Sequence, residues 1–565
     1  MPDSVKEHIA RARSLRSNRG VWNNHWDELA RVLLPRREGF ASTQVDGAQR
    51  TEEIFDGTPM VAARGLANAL GGIVRPDGQK WFFIKTTDDK LDEQEQVKYW
   101  LNDCEDKIRA AFDDPRSRFG QATGECDLDL VVFGTGVLFE NETPERDSLL
   151  FQSVHLKDGL VYFDAAGVPR GMYRFRKLSV RQAAGVWGEE KLSKESRELL
   201  TTKGGNDRGE ERIEFVHCVV IRDRGFKGAL LGRNLPWTDT WIEVAQEHIV
   251  HNGGFEDFPF VVPRWDTSSG EDYGRSPGMI GLPDSLTLQA IGETLLVAGQ
   301  RAADPALAVP SDGIFSEYNT YPGGLLYYDP TTAGGKNPFF EVGNGGNVPL
   351  TREMQQDIRE QIFAAFFRNV LQLPVMGPQM TATEVIQRKE EFIREIGPVF
   401  GRLETDYTAP IVQLAFKILM RTGRLLPIPE QLEGQNIRFE YESPVKRVRQ
   451  QIESQAAEMW LNGLVNYAGN TGDPEVLDII NMDKYARFGA DAIGLPLDLM
   501  NSESEVEAKR SERAKAQEAM AEQEANAQQL ENLKVAGQGM AAAAQASGIQ
   551  GSTGSPALEE AAAQP

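Results

Sequence analysis

The chain has 565 residues, 40% apolar and 26% charged, with 54 glycines and 29 prolines, which allows several cores and many loops and excludes a low-complexity chain. Its three cysteines, Cys104, Cys126 and Cys218, are far apart and outside any CxxC spacing, so neither a disulfide framework nor a zinc cluster is indicated and a reducing compartment fits best. A formal net charge of −23 works against the phosphate neutralisation of an ordinary nucleic-acid binder; it fits an acidic enzyme, or a protein that DNA must pass without sticking.

Residues 3–33 carry Ile9, Leu15, Trp22, Trp26, Leu29, Ala30 and Leu33 at helical spacing until Pro35, so one amphipathic helix or two is expected. The basic residues of this opening segment are followed by no apolar core or small-residue cleavage site, so it does not read as a signal peptide. Pro59–Gly72 is apolar and helical, Arg75-Pro76-Asp77-Gly78 turns into a strand at Trp81-Phe82-Phe83-Ile84, and Leu91–Phe112 is helical again. Leu128–Phe139 reads as an apolar strand broken by Gly134 and Gly136, opening a β-rich stretch through Phe151, Val161-Tyr162-Phe163 and Tyr173-Arg174-Phe175. A mixed α+β region therefore covers residues 1–280.

Leu288, Ile291, Leu295, Ala298 and Ala302 then recur at three and four residues behind Pro283, taken as a first-turn proline. They predict a helix about 30 Å long over 281–303, stopped by Asp304-Pro305. Residues 304–350, rich in Gly, Pro and aromatics, predict a module of short strands and turns. A second helix over 351–372 has Thr351 as N-cap, Glu353 in its first turn, and Ile358, Ile362, Ala365, Phe366 and Val370 near one face until Pro374. Two helices thus flank a compact insertion. After the loop 373–382, the stretch 383–443 holds a long helix to Met420, with breaks expected at Pro398 and Pro410, and an alternating strand at 436–442. Helices fill 444–502. Residues 503–535 predict a helix with too few large apolar residues for its own core, and 536–565 is compositionally disordered.

Catalytic motifs are sparse. His248 and His251 form HxxH without the glutamate that follows the first histidine of a zincin, so strand or loop histidines are the better account. Gly334-Gly335-Lys336-Asn337 lacks the spacing and the Ser/Thr of a phosphate loop, and there is no GxSxG. Acidic pairs such as Asp127/Asp129 and Asp88/Asp89 read as solvated faces in so acidic a chain. So do the basic groups Arg11, Arg13, Arg16 and Arg19, Lys446, Arg447 and Arg449, and Lys509, Arg510 and Arg513, although any that lined a channel would contact phosphate. No metal or cofactor is implied, and no segment reaches the length of apolar residues that a membrane helix needs.

In this order the blocks resemble the portal, or head-to-tail connector, family of short-tailed bacteriophages. Trp26, Leu29, Ala30 and Leu34-Pro35 resemble its opening helix, and Ile54-Phe55-Asp56-Gly57-Thr58 with Ala67, Leu70 and Trp81-Phe82 its next signature. Gly134-Thr135-Gly136, Gly274-Arg275-Ser276-Pro277, Leu282-Pro283-Asp284, Asp304-Pro305-Ala306-Leu307 and Pro322-Gly323-Gly324 follow. The most specific block is Met380-Thr381-Ala382-Thr383-Glu384-Val385 with Arg388, Gly397-Pro398 and Arg402-Leu403; Asp478-Ile479-Ile480-Asn481-Met482-Asp483 and Gly494-Leu495-Pro496 close the series. Gly57 and Asn481 depart from the pattern, standing where a serine and an acidic residue are expected.

The resemblance implies a multi-domain structural protein rather than an enzyme: a dodecameric ring at one capsid vertex of the virion, assembled in the host cytoplasm, with double-stranded DNA passing through its channel. Residues 1–280 would be the wing, 281–303 and 351–372 the stem helices, 304–350 the clip, 373–382 the tunnel loop and 444–502 the crown. Pro374, Val375, Met376, Gly377, Pro378 and Met380 of the loop, with Arg352, Arg359 and Arg368 of the second stem helix, are the residues expected at the channel. Tyr318, Tyr321, Tyr327, Tyr328, Phe339 and Phe340 are those expected to dock partners at the clip. The implied partners are the terminase large subunit, the major capsid and scaffolding proteins, and tail adaptor or tail tube proteins. Two other readings are another phage virion structural protein and a soluble metal-dependent hydrolase.

Overall fold

The computed structural model describes residues 4–546 apart from 38, 41–49, 77–79, 93, 201–207, 223–234, 304–306, 309–339, 342–347, 369–396, 433, 442–443, 472–478, 494–500 and 502. The chain divides into two compact units, residues 1–452 and 453–565. The opening segment is two helices, α1 (Val5–Asn18) and α2 (Gly20–Leu33). A capping box starts α1: the Glu7 N–H donates to Ser4 Oγ and the Ser4 N–H to the Glu7 carboxylate, each at 3.3 Å. Next come α3 (Thr58–Val74), β1 (Phe82–Thr86), α4 (Asp89–Asp92) and α5 (Glu95–Asp113), in the predicted order.

Residues 128–133, expected as strand, are the end of a helix, α6 (Phe119–Phe133). Asp129, Leu130, Val131, Val132 and Phe133 are all buried. A helix enclosed on all sides shows no amphipathic period, and its sequence is then indistinguishable from that of a buried strand. Gly134, at φ +79°, ends α6 in the left-handed conformation, and extended structure begins only at β2 (Leu138–Glu142). Then follow β3 (Leu149–Ser153), β4 (Gly159–Phe163), β5 (Pro169–Ser179), α7 (Val180–Trp187), α8 (Lys194–Leu200), β6 (Arg212–Val220), β7 (Trp237–Glu243), β8 (His248–Phe255) and β9 (Phe260–Val261). Strands β4 to β8 form an antiparallel sheet in chain order, while β2 lies between β3 and β9. Ile9 and Ala12 of α1 bury one side of the five-stranded sheet against Leu160, Tyr173, Val216, Cys218 and Ile242. Ala183 of α7 and Leu192 pack with Leu178, Phe215 and Val250 in a separate cluster.

The helix pair consists of α9 (Pro277–Ala303) and α10 (Val348–Ala365), with the short strands β10 (Leu307–Ala308) and β11 (Phe340–Glu341) between them. The strands pair antiparallel, Leu307 with Glu341 and Ala308 with Phe340. Both helices start earlier than expected: Pro283 lies inside α9, and Thr351 is within α10 rather than its cap. Serine at 276 is the better starting signal, because its Oγ accepts from the Met279 N–H at 3.0 Å. At the far end Pro349 is the first-turn proline.

Pro410 does not break the helix, whereas a break at Pro398 would fall against residues 369–396, which lie outside the described residues. Residues 397–421 are continuous helix, and the turn before α11 (Ala409–Arg421) is a π-helix, Glu404–Thr408. There the Ala409 N–H reaches back to Glu404 O, and Pro410, which has no N–H, sits in the first turn of the helix that follows. Strand β12 (Ile437–Tyr441) then pairs antiparallel with β1 along its whole length. The remaining helices are α12 (Pro444–Thr471), α13 (Met482–Ile493) and α14 (Glu503–Ala546). The last runs eleven residues past the end expected at 535, since the alanines of 541–546 continue it; the rest of the expected tail, 547–565, lies outside the described residues.

Candidate functional site

The sequence blocks converge on the place where the helix pair joins the rest of the first unit. Gly134 and Gly274 cross so closely that a Cβ on either would run into the other's carbonyl oxygen, and a Cβ on Gly278 would stand 2.8 Å from Val132 O. Around this crossing Thr135 Oγ1 accepts from the Gly274 N–H at 2.8 Å, and Ser276 Oγ donates to Val132 O at 2.7 Å. Trp26 Nε1 donates to Phe133 O at 3.1 Å, and its ring meets Tyr273 edge-on at 5.0 Å. Three separate blocks, at 26, 134–136 and 274–277, therefore form one joint that orients α9.

A second joint fastens both helices to the loop before α3. Gln289 of α9 accepts from the Phe55 and Asp56 N–H groups at 2.8 and 2.9 Å and donates to Asp56 O at 2.8 Å. The Asp56 carboxylate accepts from Arg359 Nε and Nη2 of α10 at 2.9 and 2.7 Å, from Gln355 at 3.3 Å, and from the Thr58 N–H and hydroxyl at 2.9 and 2.6 Å. Burial alone would raise this carboxyl, but the hydrogen bonds from Thr58 and Arg359 outweigh it and hold Asp56 below the usual carboxylate range. Gly292 leaves room for Phe55, whose Cβ would stand 2.9 Å from a Cβ there. Residues 54–58 thus tie a pair of helices whose contacting residues lie some 230 and 300 positions downstream.

Of the three arginines expected at the channel, Arg359 is committed to Asp56 and Arg368 lies over the Phe363 ring at 4.1 Å, while Arg352 is exposed. The loop residues Pro374, Val375, Met376, Gly377, Pro378 and Met380 lie outside the described residues, as do Tyr318, Tyr321, Tyr327, Tyr328 and Phe339; Phe340 is in β11. Of the opening basic cluster, Arg13 and Arg16 are exposed as expected and Arg11 is half-buried, with Arg11 and Arg16 lying over the Tyr162 and Phe175 rings; Arg19 alone is buried, donating to Gly159 O at 2.7 Å. Among the described residues no cluster of histidine, cysteine and carboxylates could hold a metal ion, and no helix is long and apolar enough to cross a membrane.

The profile of the family described as bacteriophage head to tail connecting protein matches residues 5–500. The chain belongs to this family. As a connector it is a structural component of the phage particle at the junction between head and tail. It is 28% identical over 522 residues to a probable portal protein of Bordetella phage BPP-1, covering 90% of this chain and 91% of that one. It is 25% identical over 535 residues to a portal protein of Salmonella phage epsilon15, covering 92% and 93%. Among solved structures, a chain from the neck of an empty gene transfer agent particle aligns with TM-score 0.38 and 13% identity, over 79% of this chain and 95% of its own. A chain from the native particle's virion aligns with TM-score 0.37 and 12% identity, over 80% and 96%.

Proposed function

We propose that this connector works as one subunit of a twelve-membered ring through which double-stranded DNA is packaged and ejected, with α9 and α10 as its stem. The observation that carries the reading is a stripe on α9. Ile280, Pro283, Thr287, Ala290, Thr294 and Val297 are exposed, uncharged and spaced alternately by three and four residues. Thr287 and Thr294 donate their hydroxyls to Pro283 O and Ala290 O at 2.9 and 2.8 Å, which leaves their methyls to face outward. This is the seam pattern by which one helix packs on another, and copies related by a closed rotation would bury it all round a ring.

In this reading residues 304–350 are the clip that docks tail adaptor proteins through its tyrosines and phenylalanines, and 373–382 is the tunnel loop. The terminase large subunit docks on the ring during packaging, and the major capsid and scaffolding proteins surround it. Purified protein should form closed rings on electron-microscopy grids, and Ala290→Glu should abolish them while circular dichroism stays unchanged. A strictly monomeric species at high concentration, with or without scaffolding protein, would refute the ring. Acidic replacements of Met376 and Met380 should leave rings intact and reduce packaging; wild-type packaging would remove the loop from the channel.

A further inference from the structure

Two exposed apolar patches stand on opposite flanks of α9. One is the stripe from Ile280 to Val297. The other lies where the loop before α3 crosses the helix. There Phe55 is 42% exposed although its backbone is fixed: its N–H donates to Gln289 Oε1 at 2.8 Å, and its Cβ would stand 2.9 Å from a Cβ on Gly292. One turn beyond Gly292, on the same face of α9, Leu296 is 54% exposed. At 100° per residue, Gln289, Gly292 and Leu296 centre about 160° around the helix from the stripe.

The two patches differ in relief. Phe55 projects from a seat that Gln289 and the Asp56 tie hold in place, so its ring meets another surface with its backbone already ordered. The stripe is shallow at its middle, where Thr287, Ala290, Ile291 and Thr294 outline a hole at i, i+3, i+4 and i+7 with only a methyl at Ala290. A ring closed by rotation brings each subunit against its two neighbours through two different surfaces on opposite sides, so it needs a complementary pair of patches rather than one self-complementary patch. The heights agree as well. Rotation about the ring axis carries no rise, so with α9 standing along that axis a group at the level of Gly292 meets its neighbour at that same level, and residues 287–294 bracket it over about 10 Å of helix.

We infer that the Phe55 ring of each subunit seats in the hole around Ala290 on the next subunit's α9, with Leu296 beside Thr294 and Val297. The inference rests on the ring reading of α9 and adds to it the second side of the contact and its head-to-tail direction. A partner of another kind could cover one of the patches; a second copy covers both at once, at matching heights and with no charged side chain enclosed in either.

The test uses the full-length protein, whose three cysteines are buried. In Phe55→Cys/Thr294→Cys a short bismaleimide should produce a ladder of covalent multimers on denaturing gels, while each single variant stays monomeric. Phe55→Ser should raise the concentration needed for rings at least about tenfold with circular dichroism unchanged, and Phe55→Leu should raise it much less. Rings on grids without a ladder in the double variant, or rings forming as readily in Phe55→Ser, would overturn this contact and leave the ring reading standing. Dimers and nothing larger from Phe55→Cys alone would show a two-fold pair and overturn the head-to-tail direction. Absence of rings from the unsubstituted protein, with or without scaffolding protein, would overturn the ring reading and this contact with it.

Discussion

Asp56 is the residue that ties α9 and α10 to the loop before α3, and its environment sets the size of the effect. Its carboxylate is almost fully enclosed and accepts from three side chains and one backbone N–H, so Asp56→Ala leaves Arg359, Gln355 and the Thr58 hydroxyl without their shared partner, while the bonds of Gln289 to the Asp56 backbone remain. Denaturant unfolding should register a loss of about 2–4 kcal/mol, with less for Arg359→Gln because that guanidinium is partly in water. Because the Asp56 pKa is depressed in the folded protein, this support is present above the ordinary carboxylate pKa and fades as acid takes the pH below it. Two other carboxyls act in the opposite sense. Glu140 is wholly buried with neither oxygen hydrogen-bonded among the described residues, and burial raises its pKa well above the usual value. Burial, opposed by Arg37 and reinforced by Glu125, pushes Asp129 up to about 7. Groups whose folded pKa is raised favour the folded state in acid and cost stability as pH climbs past the unfolded carboxylate value of about 4, in the case of Asp129 up to its folded value of about 7. Glu140→Gln should therefore gain about 1–3 kcal/mol at pH 8 and much less at pH 5; equal effects at both would contradict the buried ionisation.

At the scale of elements, the glycine crossing is the least forgiving contact. Gly134→Ala would place a methyl both on a residue with positive φ and into the Gly274 carbonyl, with no flexible side chain to yield. A loss of several kcal/mol, read as a large drop in Tm or as insoluble protein, is expected, whereas Gly120→Ala, which meets nothing within 4 Å, should be neutral or mildly stabilising. Most helices were legible because their apolar residues keep a period, as in α2 and α11. Buried α6 was not, since enclosure removes the period. The departure at Asn481 has a local reason: its side chain accepts from the Asp483 and Lys484 N–H groups at 3.1 Å and so caps α13, which an acidic residue would do equally well. The tie at Asp56 was legible only in part. The block Ile54–Thr58 stood out in sequence, but nothing local names Gln289, Gln355 and Arg359 as its partners, because that pairing is made by tertiary packing.

For the whole molecule, the charge of −23 per chain opposes the association that the α9 stripe favours. Ring formation should therefore rise with salt, from about 20 to about 300 mM, as the Debye length shortens; sedimentation that showed rings dissolving over this range would mean that intersubunit ion pairs dominate instead. Net charge left two readings open, an acidic enzyme or a protein that DNA passes without sticking, while the glycine crossing and the tie at Asp56 depend on pairings that only the fold makes. The pairing of β1 with β12 also bears on how the chain is made. Strand β1 finds its partner about 360 residues later, so a ribosome working at about 5–20 residues per second leaves Phe82, Ile84 and Thr86 on an open strand edge for about 20–70 s. During that interval the nascent chain displays an unpaired apolar edge to every sibling on the same polysome, and the closing strand doubles as the release from that hazard.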